Sequence, residues 1–337
     1  MADNQTALGL LVLAQQFRGD IVKQINRRSI LLRVLTTVAG EGKNLAWGAE
    51  GDGQVAENYA EGADAANFGG DAQAPATLNW GLYRANLHVT KLAMDAARTS
   101  ATPLGNQRLW ARQVQNGAGK LASILNKAMH NGPGTGTTIF GLDAAVGDAT
   151  NTYATINRAT GGNEYWRPVV IDPGSATGLT FSLLRDDLRQ IYEASGEYPQ
   201  IAICTPRVFN VIGGLFDDLR RYSVDTVNVQ KGVVNLDGGF RGLEIDGTVF
   251  IKDKDATDNR ITYLNTDHVE VQYLPSADVP GELTTNIQGD DGFGAVPLGF
   301  SYEMLAKLGA SSRAEILATV QVKVDRPNSC GVRLNVA

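Results

Sequence analysis

The chain has 337 residues, 43% of them apolar and 20% charged, the balance of a soluble protein long enough for two domains. Its net charge of −6 at pH 7 excludes nucleic-acid binding driven by overall electrostatics. No apolar run approaches the roughly 18 residues of a membrane-spanning helix, so no membrane partner is expected.

Leu10, Leu13, Ala14, Phe17, Ile21 and Ile25 follow helical spacing and predict an amphipathic helix over about 7–26. The apolar run 8–14 is short and follows Asp3 rather than a basic cluster, so no signal peptide is expected. Residues 18–33 hold Arg18, Lys23, Arg27, Arg28 and Arg33 against the single acid Asp20. A membrane-surface role is disfavoured for this basic segment because Phe17 is its only aromatic residue.

Residues 36–47 read as extended chain with a turn. The stretch 48–75 then carries six acids, Glu50, Asp52, Glu57, Glu61, Asp64 and Asp71, with six glycines and no Lys or Arg. Its large apolar residues are Val55, Tyr59 and Phe68, too few to offset the entropy of ordering the backbone alone. Beyond it, Leu78, Trp80 and Leu82 alternate, and Tyr83, Ala85, Leu87 and Val89 alternate with opposite parity, which predicts a bend beside Gly81. The acidic stretch therefore lies between two extended arms, as in a long two-stranded loop.

Thr102 and Pro103 fit the start of a helix over 103–131 that stops at Asn131-Gly132-Pro133. Trp110, Val114, Leu121, Leu125 and Met129 trace its apolar face; its charges are Arg108, Arg112, Lys120 and Lys127, with no acid. Further on, 165–172 reads as a strand, 184–192 as a helix ending near Gly196, 201–204 as a short buried strand and Thr205-Pro206 as another helix start. Asp246-Gly247 marks a hairpin within 243–251, and strands follow at 260–264 and 269–273. Ile316, Ala318, Val320, Val322 and Val324 alternate with polar residues, predicting a strand with one solvated face.

Catalytic signatures are weak. His88, His130 and His268 have no ligand spacing, and Cys204 and Cys330 form no metal pattern and predict a reducing compartment. The segment 132–138 lacks the lysine of a phosphate loop, the Ser of 174–178 is misplaced for a nucleophile elbow, and 253–258 reads as a solvated turn. No cofactor, metal or catalytic residue is assigned, and no enzymatic activity is expected.

The order of these parts resembles the major capsid proteins of tailed bacteriophages, the Hong Kong ninety-seven type fold. The segments that carry the resemblance are "INRRSILLRVLTTV", the acidic stretch with its flanking strands, the helix 103–131, and "TIFGLDAAVGDATNTYATINRATGGNEYWRPVV" with its FGL and Y-x-x-I-x-R motifs. "YPQIAICTPRVFNVI", "GFRGLEIDGTVFIKDKDATDNRITYLNTDHVEV" and the segment 298–337 complete it. The resemblance implies an α+β fold: an N-terminal arm (1–40), an extended loop with flanking strands (41–85), a peripheral domain (86–160) with spine helix 103–131, an axial domain (161–298) and a return to the peripheral domain (299–337). With the strands beside the loop counted in, the peripheral domain combines about 76–160 with 299–337.

The implied function is a structural subunit of an icosahedral head, forming hexamers and pentamers around packaged double-stranded DNA. The implied location is the virion, after assembly in the host cytoplasm. The loop residues Glu50, Asp52, Val55, Glu57, Tyr59, Glu61, Asp64, Phe68 and Asp71 would contact a neighbour, opposite Arg108, Arg112, Lys120 and Lys127 of its spine helix. The stretch 48–75 would then make few contacts within its own subunit. Arg18, Lys23, Arg27, Arg28 and Arg33 would form an inner arm with non-specific DNA contacts. A separate scaffolding protein, a portal and cement proteins are possible partners. The loop lacks the lysine through which the founding member crosslinks, so no crosslinking residues carry over. Alternatives are an encapsulin-type compartment shell and a soluble α/β enzyme or ligand-binding protein.

Overall fold

The protein is described by a computed structural model covering residues 29–51, 56–58, 61, 69–70, 72–99, 105–220, 233–236, 240–275, 301–306 and 309–337. The helix expected over 7–26 and the cap at Thr102 lie outside the described residues. The described chain begins not in an arm but in the core. A short helix α1 (Leu31–Val34) and strand β1 (Thr36–Ala39) follow Ser29, and Ser29, Leu31, Leu32 and Leu35 are buried. Of the expected arm of 1–40 only 29–40 is described, and its first part packs into the core through Leu31, Leu32 and Leu35 rather than standing away from it.

The ribbon β2 (Asn44–Gly51) and β3 (Ala72–Asn79) pairs antiparallel over eight residues, from Asn44 opposite Asn79 to Gly51 opposite Ala72. Strand β4 (Gly81–Thr90) starts one residue after β3, and the change of parity falls there: Leu78 and Trp80 are buried, Leu82 is exposed, and Leu87 and Val89 are buried again. Helix α2 (Lys91–Thr99) and the long helix α3 (Gly105–Asn131) follow. On α3, Val114, Leu121, Leu125 and Met129 are buried at helical spacing. Helix α4 (Leu142–Val146) opens at Gly141, where a Cβ would stand 2.5 Å from the Gly132 nitrogen and 2.7 Å from the His130 carbonyl oxygen. The glycine of the FGL motif thus permits a close backbone crossing at the end of α3. Short strands β5 (Thr152–Tyr153) and β6 (Ile156–Asn157) lead to a 3-10 turn at Glu164–Trp166 and strand β7 (Val169–Ile171); Pro168, which has no N–H, separates the two and shortens the expected strand.

Helix α5 (Phe181–Ser195) starts at Thr180, whose hydroxyl accepts the Leu183 N–H at 3.3 Å. Strand β8 (Ile201–Cys204) is buried throughout, and helix α6 (Pro206–Arg220) begins at the expected Thr-Pro pair. Strands β9 (Val233–Leu236), β10 (Phe240–Ile245) and β11 (Thr248–Lys252) follow, with Asp246 and Gly247 both at positive φ in the two-residue turn. The chain ends with β12 (Ile261–Leu264), β13 (Val269–Tyr273), β14 (Ser301–Leu305), β15 (Ser311–Val324) and β16 (Gly331–Arg333).

Two main sheets result. The first has the order β1-β13-β15-β14 with β4 also paired to β15, and the second β7-β16-β12-β8-β11-β10-β9. Strand β15 pairs with β4 over ten residues, from Ser311 opposite Thr90 to Val320 opposite Gly81, so the sheet partner expected from the strands flanking the loop is present. Strand membership departs from the boundary at 298, however. β13 lies in the first sheet, paired with β15, and β16 lies in the second, between β7 and β12. The chain crosses between sheets once more than a single return would require.

The alternating face of β15 is also less wet than its pattern suggests. Ile316, Ala318, Val320, Val322 and Val324 are buried as expected, but so is Gln321. Its amide is satisfied: Phe140 N–H donates to Oε1 at 2.9 Å, and Nε2 donates to the Asn79 carbonyl at 2.6 Å. Lys323 lies with its ammonium 5.5 Å from the Trp47 ring centroid, beneath the ribbon.

Candidate assembly surfaces

The ribbon is anchored at its root. Leu45, Ala49, Ala76 and Leu78 are buried, Thr77 N–H donates to the Ala154 carbonyl at 2.9 Å, and a Cβ at Gly51 would lie 2.6 Å from the Tyr165 ring. This corrects the expectation that 48–75 makes few contacts within its own subunit: its two ends, 48–51 and 72–75, are strand residues, and Gly51, Ala49 and Ala74 pack against the chain itself. Gly51 allows that close approach, and the small side chains of Ala49 and Ala74 pack beside it. Glu50 is exposed and accepts from Gln73 Nε2 at 3.3 Å; Glu57 and Glu61 are exposed. Asp52, Val55, Tyr59, Asp64, Phe68 and Asp71 lie outside the described residues.

The spine helix α3 shows two faces. Lys120 and Lys127 are exposed, with Ile124 between them at 50% exposure, on the side opposite the buried stripe. The backbone at Arg108 and Arg112 is helical, but their side chains lie outside the described residues, as do Arg18, Lys23, Arg27 and Arg28. Arg33 is half-buried on α1. Glu50 thus meets Gln73 of its own ribbon rather than a base of α3.

Three buried polar clusters hold these surfaces in place, and sequence reading missed all three as sites. In the first, Asn126 and His130, one turn apart on α3, meet the 253–258 turn. Asn126 Nδ2 donates to both Asp253 oxygens at 3.1 and 3.0 Å and to Asp255 at 2.8 Å. His130 Nε2 lies 3.0 Å from Asp253 Oδ2, and Ser29 Oγ donates to Asn126 Oδ1 at 2.9 Å. Asp253 is 1% exposed, so the reading of 253–258 as a solvated turn is overturned at its first residue. Burial by itself raises the Asp253 carboxyl, but the hydrogen bond and charge of His130, the Asp255 N–H and Asn126 together hold it below the usual carboxylate range.

The second cluster gathers the Y-x-x-I-x-R passage and its tryptophan. Tyr153 stacks on Trp166 at 5.9 Å, its hydroxyl accepts the Val324 N–H at 2.8 Å, and the Arg158 guanidinium lies 4.9 Å from its ring centroid. Arg158 is fully buried and donates to the Asp148 and Ala145 carbonyls at 2.8 and 2.6 Å and to Asn151 Oδ1 at 2.9 Å. Desolvation pushes its pKa down to about 10. In the third cluster Asp187 on α5 receives Arg333 of β16 and the Tyr263 hydroxyl, tying helix to sheet.

The cysteines are not poised as nucleophiles. Burial pushes the Cys204 thiol up to about 12 and the Cys330 thiol up to about 11. Among the described residues no group of three or more His, Cys, Asp or Glu could hold a metal ion. The structure's distinctive chemistry is thus a set of internal anchors beneath a ribbon and a long helix.

The sequence matches no protein-family model and no curated protein. The fold does find counterparts among solved structures. It is similar to the capsid asymmetric unit of cyanophage A-1(L), with a TM-score of 0.67 at 18% identity over 91% of this chain and 92% of that one. It is similar to the SrpI encapsulin of Synechococcus elongatus, with a TM-score of 0.58 at 15% identity over 91% and 86%. The capsid of a native GTA particle aligns with a TM-score of 0.55 at 12% identity over 91% and 90%. The chain therefore has the α+β fold of phage capsid proteins, which the encapsulin shares.

Proposed function

We propose that the protein is a structural subunit of an icosahedral phage head, assembling with copies of itself into hexamers and pentamers around packaged double-stranded DNA. The observation that supports this most is the extent of the fold likeness: a phage capsid structure aligns over nine-tenths of both chains. In this reading α3 and the first sheet form the peripheral part, the second sheet the axial part, and the protein acts by binding rather than by catalysis. The acidic loop docks across the spine helix of a neighbour, where Lys120 and Lys127 are exposed, and charge sets register while Val55, Tyr59 and Phe68 supply apolar anchors. The basic segment 18–28 lies inside, meeting DNA through salt-dependent phosphate contacts. A scaffolding protein, a portal and cement proteins join in assembly, which takes place in the host cytoplasm and ends in the virion.

The likeness to an encapsulin favours one second reading, a compartment shell built on the same fold. Particles purified from the producing cell separate the two. Nuclease-resistant DNA inside closed shells supports the head; an enclosed enzyme without DNA supports the compartment. Small particles that never close contradict both.

A further inference from the structure

The chain passes between its two sheets at two places that lie side by side. Residues 265–268 carry it from β12 to β13, and residues 325–330 carry it from β15 to β16. The two passages are joined backbone to backbone, with Asp325 N–H donating to the His268 carbonyl at 3.0 Å. The end of α5 meets them there. That helix is fastened to the second sheet through Asp187, which receives Arg333 and the Tyr263 hydroxyl, and Glu197 lies two residues beyond its last turn.

His268 stands between these segments. Its Nδ1 is 2.9 Å from Asp325 Oδ1 and its Nε2 is 3.1 Å from Glu197 Oε2. Ionised carboxylates only accept hydrogen bonds, and a neutral imidazole has one N–H and one bare nitrogen. Both contacts are therefore hydrogen bonds only when the ring carries both protons. A neutral ring turns a lone pair toward one carboxylate oxygen, and that contact opens. The ring is 24% exposed and borders a cleft of about 500 Å³, so water and protons reach it.

The surroundings decide which contact opens. Glu197 has other donors: Arg326 at 2.6 Å on Oε1 and Asn265 Nδ2 at 2.6 Å on Oε2. Beside Asp325 the base is Lys323, 3.9 Å away and drawn to Glu270 at 2.7 Å. Asp267, next to His268 in the turn, accepts from Gln200 at 3.1 Å, and Glu50 on the same cleft accepts from Gln73 at 3.3 Å. The charged ring is the third cation in this acidic setting, after Lys323 and Arg326. Asp325 depends on it more than Glu197 does.

We propose that His268 is a pH-sensitive latch between the two sheets. As the imidazolium it ties the end of α5 to the end of β15. As the neutral ring it keeps its proton on Nδ1, toward Asp325, and releases Glu197. Histidine is the side chain whose charge ordinarily changes between about pH 5 and 8, so the sheets are fastened more firmly at the acid end of that range. A single subunit contains every group involved, so the latch does not depend on a shell.

Thermal unfolding of the parent and of His268→Gln across that range tests this. A latch that needs the proton stabilises the fold at low pH and loses its effect as pH rises. The parent's advantage in melting temperature over His268→Gln should be largest near about pH 5.5 and shrink by at least half near about pH 8. The same comparison in a Glu197→Gln background gives a second reading. The amide can accept from a protonated Nε2 or donate to a bare one, so the contact survives deprotonation and the pH dependence should flatten. Nitrogen NMR of the histidine rings, with His268 assigned through its variant, should show the proton on Nδ1 near about pH 8. A gap between parent and His268→Gln that stays constant with pH, an undiminished pH dependence in the Glu197→Gln background, or a neutral ring protonated on Nε2 would each overturn the latch.

Discussion

Asp253 and Arg158 show how single buried charges are held in this protein. Asp253 is stabilised as a carboxylate because His130 and Asn126 outweigh the burial that opposes ionisation. A folded-state value below the unfolded one means that its contribution is present above the usual aspartate pKa of about 3.9 and is lost as pH falls through the lowered value. Asp253→Asn should therefore cost about 1–3 kcal/mol at pH 5, and the difference from the parent should shrink as pH falls below about 4, read from denaturant unfolding across pH. Arg158 is bound by carbonyls and by the Tyr153 ring, an arrangement that a lysine cannot reproduce because its donors are not in a planar fork. Arg158→Lys should lower stability by about 2–3 kcal/mol and leave the fold intact, as circular dichroism and unfolding would report.

At the scale of elements, local signals were legible and long-range ones were not. The Asp246-Gly247 turn, the Thr-Pro start of α6 and the parity change beside Gly81 are written in neighbouring residues, and each appears where the sequence puts it. The buried role of Asp253 depends on His130 and Asn126, more than a hundred residues away, and a run of acids gives no hint of it. Gln321 looked solvated because alternation reports only the sheet's own two faces; Phe140 and the end of β3 cover it from outside. Strands β13 and β16 change sheets because pairing register is set by tertiary contact, which periodicity does not encode. The loop acids were legible as a stretch that cannot fold alone, yet the ribbon packs at home up to Gly51, whose lack of a side chain lets it approach Tyr165. Two substitutions probe the proposed docking of ribbon on spine helix. Glu57→Lys should slow assembly, and adding Lys120→Glu or Lys127→Glu should partly restore it, measured by light scattering at low salt. Tyr59→Ala should impair assembly while shifting the melting temperature of the isolated subunit by little; equal loss in both would place Tyr59 in its own subunit's core.

For the whole molecule, the fold spreads its anchors through the interior, and the proposed shell contacts fall to the ribbon and one face of α3. In that proposal the contacts are non-covalent, since 48–75 has no lysine to form an amide link. Mature particles boiled in denaturant should then run as a single band at monomer mass, and a ladder of covalent oligomers would contradict this. The central claim, that the chain is a shell subunit, is tested most directly by electron microscopy of the purified protein under assembly conditions. The account predicts closed particles of uniform diameter built from hexameric and pentameric units; a monodisperse population of small, open particles at every concentration tried would contradict it.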